Sequence, residues 1–152
     1  MAIQKILVPV DYSECSAAAL AYAADLAEKL DASLDVVHVW DRPLYVPETV
    51  KVGHAGETRS LVDMIRENAE TEMRSFTARA KLPPSRELTT RLLSGNPATT
   101  ILKELRAGHH ELLVMGTHGR TGIQHALLGS VAEKLVRLSP VPVLTVPTNA
   151  AF

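Results

Sequence analysis

From Ile3 to Val10 the chain reads IQKILVPV, a short apolar, β-branched run of the kind that forms a buried strand, and it stops at Asp11-Tyr12-Ser13. Ser13 suits a helix N-cap, because its hydroxyl can accept from the free amides of a first turn. Beyond it Leu20, Ala23, Ala24, Ala27 and Leu30 recur at spacings of three and four, while Asp25, Glu28 and Lys29 take the other face. Glu14–Leu30 is therefore predicted to be an amphipathic helix, its alanines allowing close packing on a sheet. Ser33–Trp40 (SLDVVHVW) is a second apolar run, and a whole helix between two runs suits a crossover between parallel strands rather than a hairpin.

The alternation then repeats. Asp41–Glu57 contains Pro43, Pro47, Gly53 and Gly56 with no clean period, and is predicted to be irregular and mobile, with the composition of a lid. From Thr58, a stripe of Leu61, Ile65, Ala69, Met73 or Glu72, Phe76 and Ala80 marks a second helix that Pro83-Pro84 stops. Leu88–Leu93 reads as a third strand. Asn96-Pro97 then supplies an N-cap and a first helical residue, and Ile101, Leu102 and Leu105 a buried face before Gly108. Leu112–Met115 is a fourth strand, Val131–Leu138 a fourth helix and Val141–Val146 a last strand, in which Pro142 favours a sheet edge. Five strands alternating with four helices, without a linker-like tract, predict one α/β domain over residues 1–152. Its open parallel sheet is covered on both faces, with right-handed crossovers. Ligands of such sheets sit beyond the carboxyl ends of the strands where strand order reverses, which points to the loops beginning at Asp11 and Gly116.

Composition narrows the function. The 152 residues carry 16 Lys plus Arg against 17 Asp plus Glu, a formal net charge of −1, and so lack the basic excess that phosphate neutralisation in nucleic-acid binding calls for. The apolar runs are far shorter than a membrane span, no secretory h-region opens the chain, and the one cysteine, Cys15, has no intramolecular partner. These features point to a reducing cytoplasm and to no membrane or nucleic-acid partner.

After the fourth strand the chain reads Gly116-Thr117-His118-Gly119-Arg120-Thr121-Gly122, then Ile123–Leu128, then Gly129-Ser130-Val131-Ala132-Glu133. Gly116 and Gly119 would let backbone approach a ligand closely or take positive φ, and Gly129-Ser130 opens a helix whose first amides and dipole favour an anion. A phosphate site is the physical expectation. Ser130 and Glu133 also have capping-box spacing, a purely structural use for the hydroxyl. The segment is neither a Walker A loop nor a G-x-G-x-x-G fingerprint after the first strand.

Gly116, Gly119, Gly129 and Ser130 do meet the spacing G-x2-G-x9-G-S/T, and on these residues the chain resembles the universal stress protein family. The likeness extends through ILVPVDYSECSAAALAYA, VVHVWD, GNPATTIL, LLVMGTHGRTG and SPVPVLTVP, nearly the whole chain. It implies a Rossmann-like sheet of the adenine nucleotide alpha hydrolase type with strand order 3-2-1-4-5. The intact signature implies the ATP-binding branch of the family. Carried over residue by residue, Pro9, Val10 and Asp11 would line the adenosine end, with the Asp11 carboxylate suited to ribose or base, and Val39 would meet adenine through its backbone. Met115, Gly116, His118 and Gly119 would flank ribose and phosphates, and Gly129, Ser130, Val131 and Ala132 would hold phosphates. Arg120 joins this set on its charge and its adjacency to Gly119. The family commonly dimerises through its terminal strand, which agrees with an exposed apolar edge at Val141–Val146 seeking a twin.

Other groups carry bland readings. His109-His110 has poor spacing for a metal and reads as a surface loop. His38 reads as a hydrogen-bonded strand residue and Cys15 as a small core residue near a helix start. Asp11 has an Asx turn as its structural alternative. Tyr12 is open between closing over a sugar and packing. Phosphoryl transfer needs metal-holding carboxylates, a positioned nucleophile and charge clamps, and the glycine segment offers Ser130 and Arg120 without a carboxylate pair or a lysine. The expected function is thus ATP binding, with Mg2+ or Mn2+ on the phosphates, in a homodimeric stress-response regulator that acts on another protein. The alternatives are slow hydrolysis or autophosphorylation, with Ser130 or Thr121 as acceptor, and a nucleotide-free interaction module.

Overall fold

The structure, a computed structural model, describes residues 2–40, 47, 49–53, 59–80, 82, 87–118 and 128–148. Five strands form one parallel sheet: β1 (Lys5–Pro9), β2 (Ser33–Trp40), β5 (Leu88–Ser94), β6 (Leu112–Gly116) and β7 (Val143–Val146). Their spatial order is β5-β2-β1-β6-β7, which in chain order of these five is 3-2-1-4-5. Strand order reverses between β1 and β6, where Ile6 pairs with Leu112 and Leu7 with Leu113. Between the strands lie α1 (Glu14–Leu30), α2 (Leu61–Arg79), α3 (Pro97–Ala107) and α4 (Ser130–Leu138).

The alternation along β1 explains how two layers of helices are held. Ile6 and Val8 pack with Ala19, Leu20, Ala23, Met73 and Phe76 on the α1 and α2 face. Leu7, between them, points the other way and packs with Ile101, Leu105, Leu113 and Leu135 on the α3 and α4 face. With Ile6, Leu7 and Val8 all fully buried, β1 has no wet side, as a central parallel strand requires. The predicted caps form: the Ser13 side chain accepts from the Ser16 amide, and Asn96 accepts from the Thr99 amide with Pro97 just inside the helix.

Element edges differ modestly from expectation. The last strand begins at Val143 because Pro142 has no N–H to add to the ladder, although its carbonyl accepts from the Leu113 amide at 3.0 Å. β7 lies at the sheet edge, as its proline suggested. In the segment predicted to be irregular, a two-residue strand, β3 (Lys51–Val52), pairs antiparallel with β4 (Arg59–Ser60) ahead of α2. Residues 41–46, 48 and 54–57 of that segment lie outside the described residues, so a lid role has no structural account. Among the described residues, no helix is long and apolar enough to cross a membrane.

Candidate functional site

A cavity of about 280 Å³ opens at the carboxyl ends of the strands, at the reversal between β1 and β6. Its walls come from Pro9, Val10 and Asp11 after β1, Val39 of β2, Met115, Gly116 and His118 around the end of β6, and Gly129, Ser130, Val131 and Ala132 at the start of α4. Of the thirteen residues singled out in the sequence, Gly119 and Arg120 lie outside the described residues and the others all face this one space. Ser16, Pro97, Ile101 and Leu135 also line it and were not foreseen as site residues. Pro97 could have been: as the first residue of a helix that follows a parallel strand, it must lie at the carboxyl edge. Ser16 and Leu135 gave no signal beyond helical periodicity.

Each side of the cavity has a distinct chemistry. Val39, Pro97, Ile101, Met115 and Leu135 make an apolar wall that suits a flat ring system. Toward α1 and α4 the walls are helix starts, whose first amides have no intrahelical acceptor and whose dipoles favour negative charge. The loop after β6 is drawn to α4 by the Gly129 amide, which donates to the Thr117 carbonyl at 2.8 Å, while the Thr117 amide donates to Val146 at 3.2 Å. These two bonds seat Gly116 and His118 across from Ser130.

Two expectations about this loop need correction. Gly129, not Ser130, is the N-cap of α4, and no side chain caps that helix, so the capping box does not form. The serine sits one position too far into the helix for its hydroxyl to reach back over the first turn, and the structural use that competed with ligand binding is absent. Gly116 does not need positive φ; among the described glycines only Gly95 has it, at 130°. What demands a glycine at Gly116 is α1: a β-carbon there would lie 2.7 Å from Cys15 Sγ and 3.0 Å from the Cys15 carbonyl carbon.

The β1–α1 loop is tightly fixed. Asp11 Oδ1 accepts from the Ser13 amide at 3.1 Å and from the Ser13 hydroxyl, so the Asx turn exists and the residue lines the cavity as well. Tyr12 holds φ of 67°, a left-handed conformation that costs a bulky residue about 1–2 kcal/mol. Its ring stacks on His38 with centroids 4.3 Å apart and meets Phe76 edge-on at 5.5 Å, and its hydroxyl donates to the Ala69 carbonyl at 3.2 Å. Tyr12 therefore packs. His38 Nδ1 donates to the Val10 carbonyl at 2.7 Å, the hydrogen-bonded strand role expected of it.

Cys15 is buried in the first turn of α1, with its Sγ 3.7 Å from Thr117 Oγ1 and 3.5 Å from the Val146 carbonyl. Burial pushes the thiol up, but hydrogen bonds from Thr148, His118 and Thr117 outweigh it and leave the thiol below its ordinary value.

At the opposite end of the sheet His110 is not a surface residue. Its side chain is fully enclosed, and Nε2 donates to Asp35 Oδ2 at 2.9 Å, while exposed His109 makes the turn with φ of 53°. The same buried carboxylate accepts from Thr89 Oγ1 at 2.8 Å and from Arg91 at 2.7 and 3.2 Å, and Arg91 reaches on to Glu104 at 2.9 Å. Burial raises the Asp35 carboxyl, but bonds from Arg91, Thr89 and His110, with the charge of Arg91, hold it at about 2. Gly108 leaves room for the His110 ring, which a β-carbon would strike. With His110 enclosed and Asp35 fully engaged, this group is a clamp across β2, β5 and the start of β6. Among the described residues, no three His, Cys, Asp or Glu side chains stand close enough to hold a metal ion.

Residues 2–147 match the sequence model of the universal stress protein family. The chain belongs to that family. Universal stress protein MJ0531 of Methanocaldococcus jannaschii is 30% identical over 143 residues, covering 94% of this chain and 81% of that one. Universal stress protein YxiE of Bacillus subtilis is 32% identical over 145 residues, covering 93% and 97%. Among solved structures, a universal stress protein in complex with cAMP superposes with a TM-score of 0.72 at 23% identity, over 98% of this chain and all of that one. At that identity the superposition speaks for the fold, the Rossmann-like α/β sheet common to the family.

Proposed function

We propose that this universal stress protein binds an adenine nucleotide, ATP in its working form, in the cavity between the β1–α1 loop and the start of α4, and acts as a regulatory binder in the cytoplasm. The observation that carries the reading is the pairing of an apolar wall with helix starts in one cavity, beside a Ser130 hydroxyl that takes no part in capping. The base would lie against Val39, Ile101 and Met115, the ribose near Asp11, and the phosphates across the first amides of α4. A Mg2+ or Mn2+ ion would take its ligands chiefly from phosphate and water, as hard cations do. The family relative solved with cAMP supports an adenine nucleotide as the ligand class. A ligand that binds only the native state raises its melting temperature; at a hundred times Kd the gain is about 2.7 kcal/mol, or roughly 5–10 °C for a chain of this length. ATP with Mg2+ is expected to produce that shift in the native protein and to lose most of it in Asp11→Ala. No shift in the native protein would contradict the reading.

The chain would work as a homodimer paired through β7. The Pro142 and Val146 carbonyls both accept from the β6 side, so the backbone of Val143 and Thr145 faces outward along an edge that no strand of the described residues covers. Sedimentation is expected to show a dimer that Thr145→Pro converts to folded monomer by deleting an outward N–H. A native monomer would overturn this assembly. Nucleotide-dependent affinity for another protein would follow from ATP favouring one of two conformations.

A further inference from the structure

Among the described residues Asp11 is the one acidic side chain on the cavity wall, and both of its neighbours in sequence are fastened to the same imidazole. The Val10 carbonyl accepts from His38 Nδ1 at 2.7 Å, and the Tyr12 ring lies over His38 at a centroid distance of 4.3 Å with 30° between the planes. A carbonyl only accepts, so Nδ1 carries the proton in this contact. Tyr12 keeps a left-handed backbone that its own side chain disfavours, with φ of 67°, so the contacts of the ring must hold it there. Those contacts lead away from the cavity: to Phe76 at 5.5 Å, edge-on, and from the hydroxyl to the Ala69 carbonyl at 3.2 Å, both in α2. Asp11 itself is turned by its bond to the Ser13 amide, one residue past Tyr12.

We propose that Tyr12 and His38 are positioning residues that set nucleotide affinity by fixing Asp11 at the cavity wall, and that they tie this setting to the seat of α2. The inference rests on nucleotide binding at this cavity. His38 acts as a platform on a strand that the sheet holds rigid, with Val10 and Tyr12 both referenced to it. Release of the ring would leave Asp11 held only through its own turn to Ser13, less firmly set against the cavity, while the other groups on the wall stay in place.

The test is a double-variant cycle read by calorimetric titration with ATP and Mg2+ on the full chain. Glycine takes positive φ without strain, so Tyr12→Gly removes the ring without forcing the backbone. This variant is expected to bind ATP about tenfold more weakly, whereas Tyr12→Phe, which keeps the stack, stays within about twofold. In the Asp11→Ala background, read at millimolar ATP, adding Tyr12→Gly is expected to change affinity by less than about twofold, because the group it positions is gone. Equal affinity of Tyr12→Gly and the native protein, or losses that multiply in the double variant, would overturn the inference while leaving the nucleotide reading intact. A native protein that takes up no ATP would overturn both. Should Tyr12→Gly fail to fold, His38→Ala enters the same cycle with the same expected pattern.

Discussion

Replacing Asp35 with alanine is expected to lower the stability of the fold by about 3 kcal/mol, or roughly 6–12 °C in melting temperature. Asp35 is buried and accepts from Thr89, Arg91 and His110, three donors on β5 and at the start of β6. Its loss strands an imidazole whose side chain is fully enclosed, so Nε2 cannot recover its bond from water, and whose Nδ1 has no partner among the described residues. Arg91 is 40% exposed in its side chain and can rehydrate, which keeps the cost at the lower end of the range for a broken buried pair. The same site sets an acid limit. Its carboxyl sits at about 2 in the folded protein against an ordinary aspartate value of 3.8, so its contribution is present above about pH 4 and is lost as pH falls toward 2. Asp35→Asn is expected to flatten stability across that window in acid-unfolding curves. An Asp35→Ala protein with native stability would show that the clamp contributes nothing.

The second large effect lies at Gly116. Gly116→Ala is expected to destabilise by about 1–3 kcal/mol and to weaken ATP binding, because the new methyl group meets the first turn of α1 at 2.7 Å from Cys15 Sγ and 3.0 Å from its carbonyl carbon. The sulfur can be removed but the backbone cannot. Adding Cys15→Ala is therefore expected to recover only part of the loss, the remainder being the displaced start of α1 and the β1–α1 loop attached to it. Full recovery in the double variant, measured by urea unfolding, would assign the whole effect to the thiol.

The sequence made the layout legible because its signals were local. β1 and β2 are continuous apolar runs, Ser13 and Asn96 cap helices at the expected positions, and the glycine spacing marked the loop that closes on Thr117 and Gly129. What escaped was everything decided by long-range pairing. His110 looked like a loop residue because nothing near it in sequence says that Asp35, 75 positions away, lies 2.9 Å from its ring. Gly116 was read as a place where a ligand could approach the backbone, and that α1 also needs the space above it was not visible in the sequence. The capping use offered for Ser130 beside its phosphate role fails because spacing alone cannot show where a helix begins, and Gly129 takes the cap position instead. Tyr12 could not be assigned at all, since both Phe76 and His38 reach it only in the folded chain.

The central claim is that the cavity bounded by Asp11, Met115 and Ser130 holds an adenine nucleotide. Calorimetric titration of the native protein and of Gly129→Val with ATP and Mg2+ tests it most directly. The native protein is expected to bind one ATP per chain, and the valine, placed where α4 starts and where the Gly129 amide holds the loop to Thr117, is expected to abolish the heat. A native protein that gives no heat with ATP, or a Gly129→Val protein that binds with undiminished affinity, would contradict the claim.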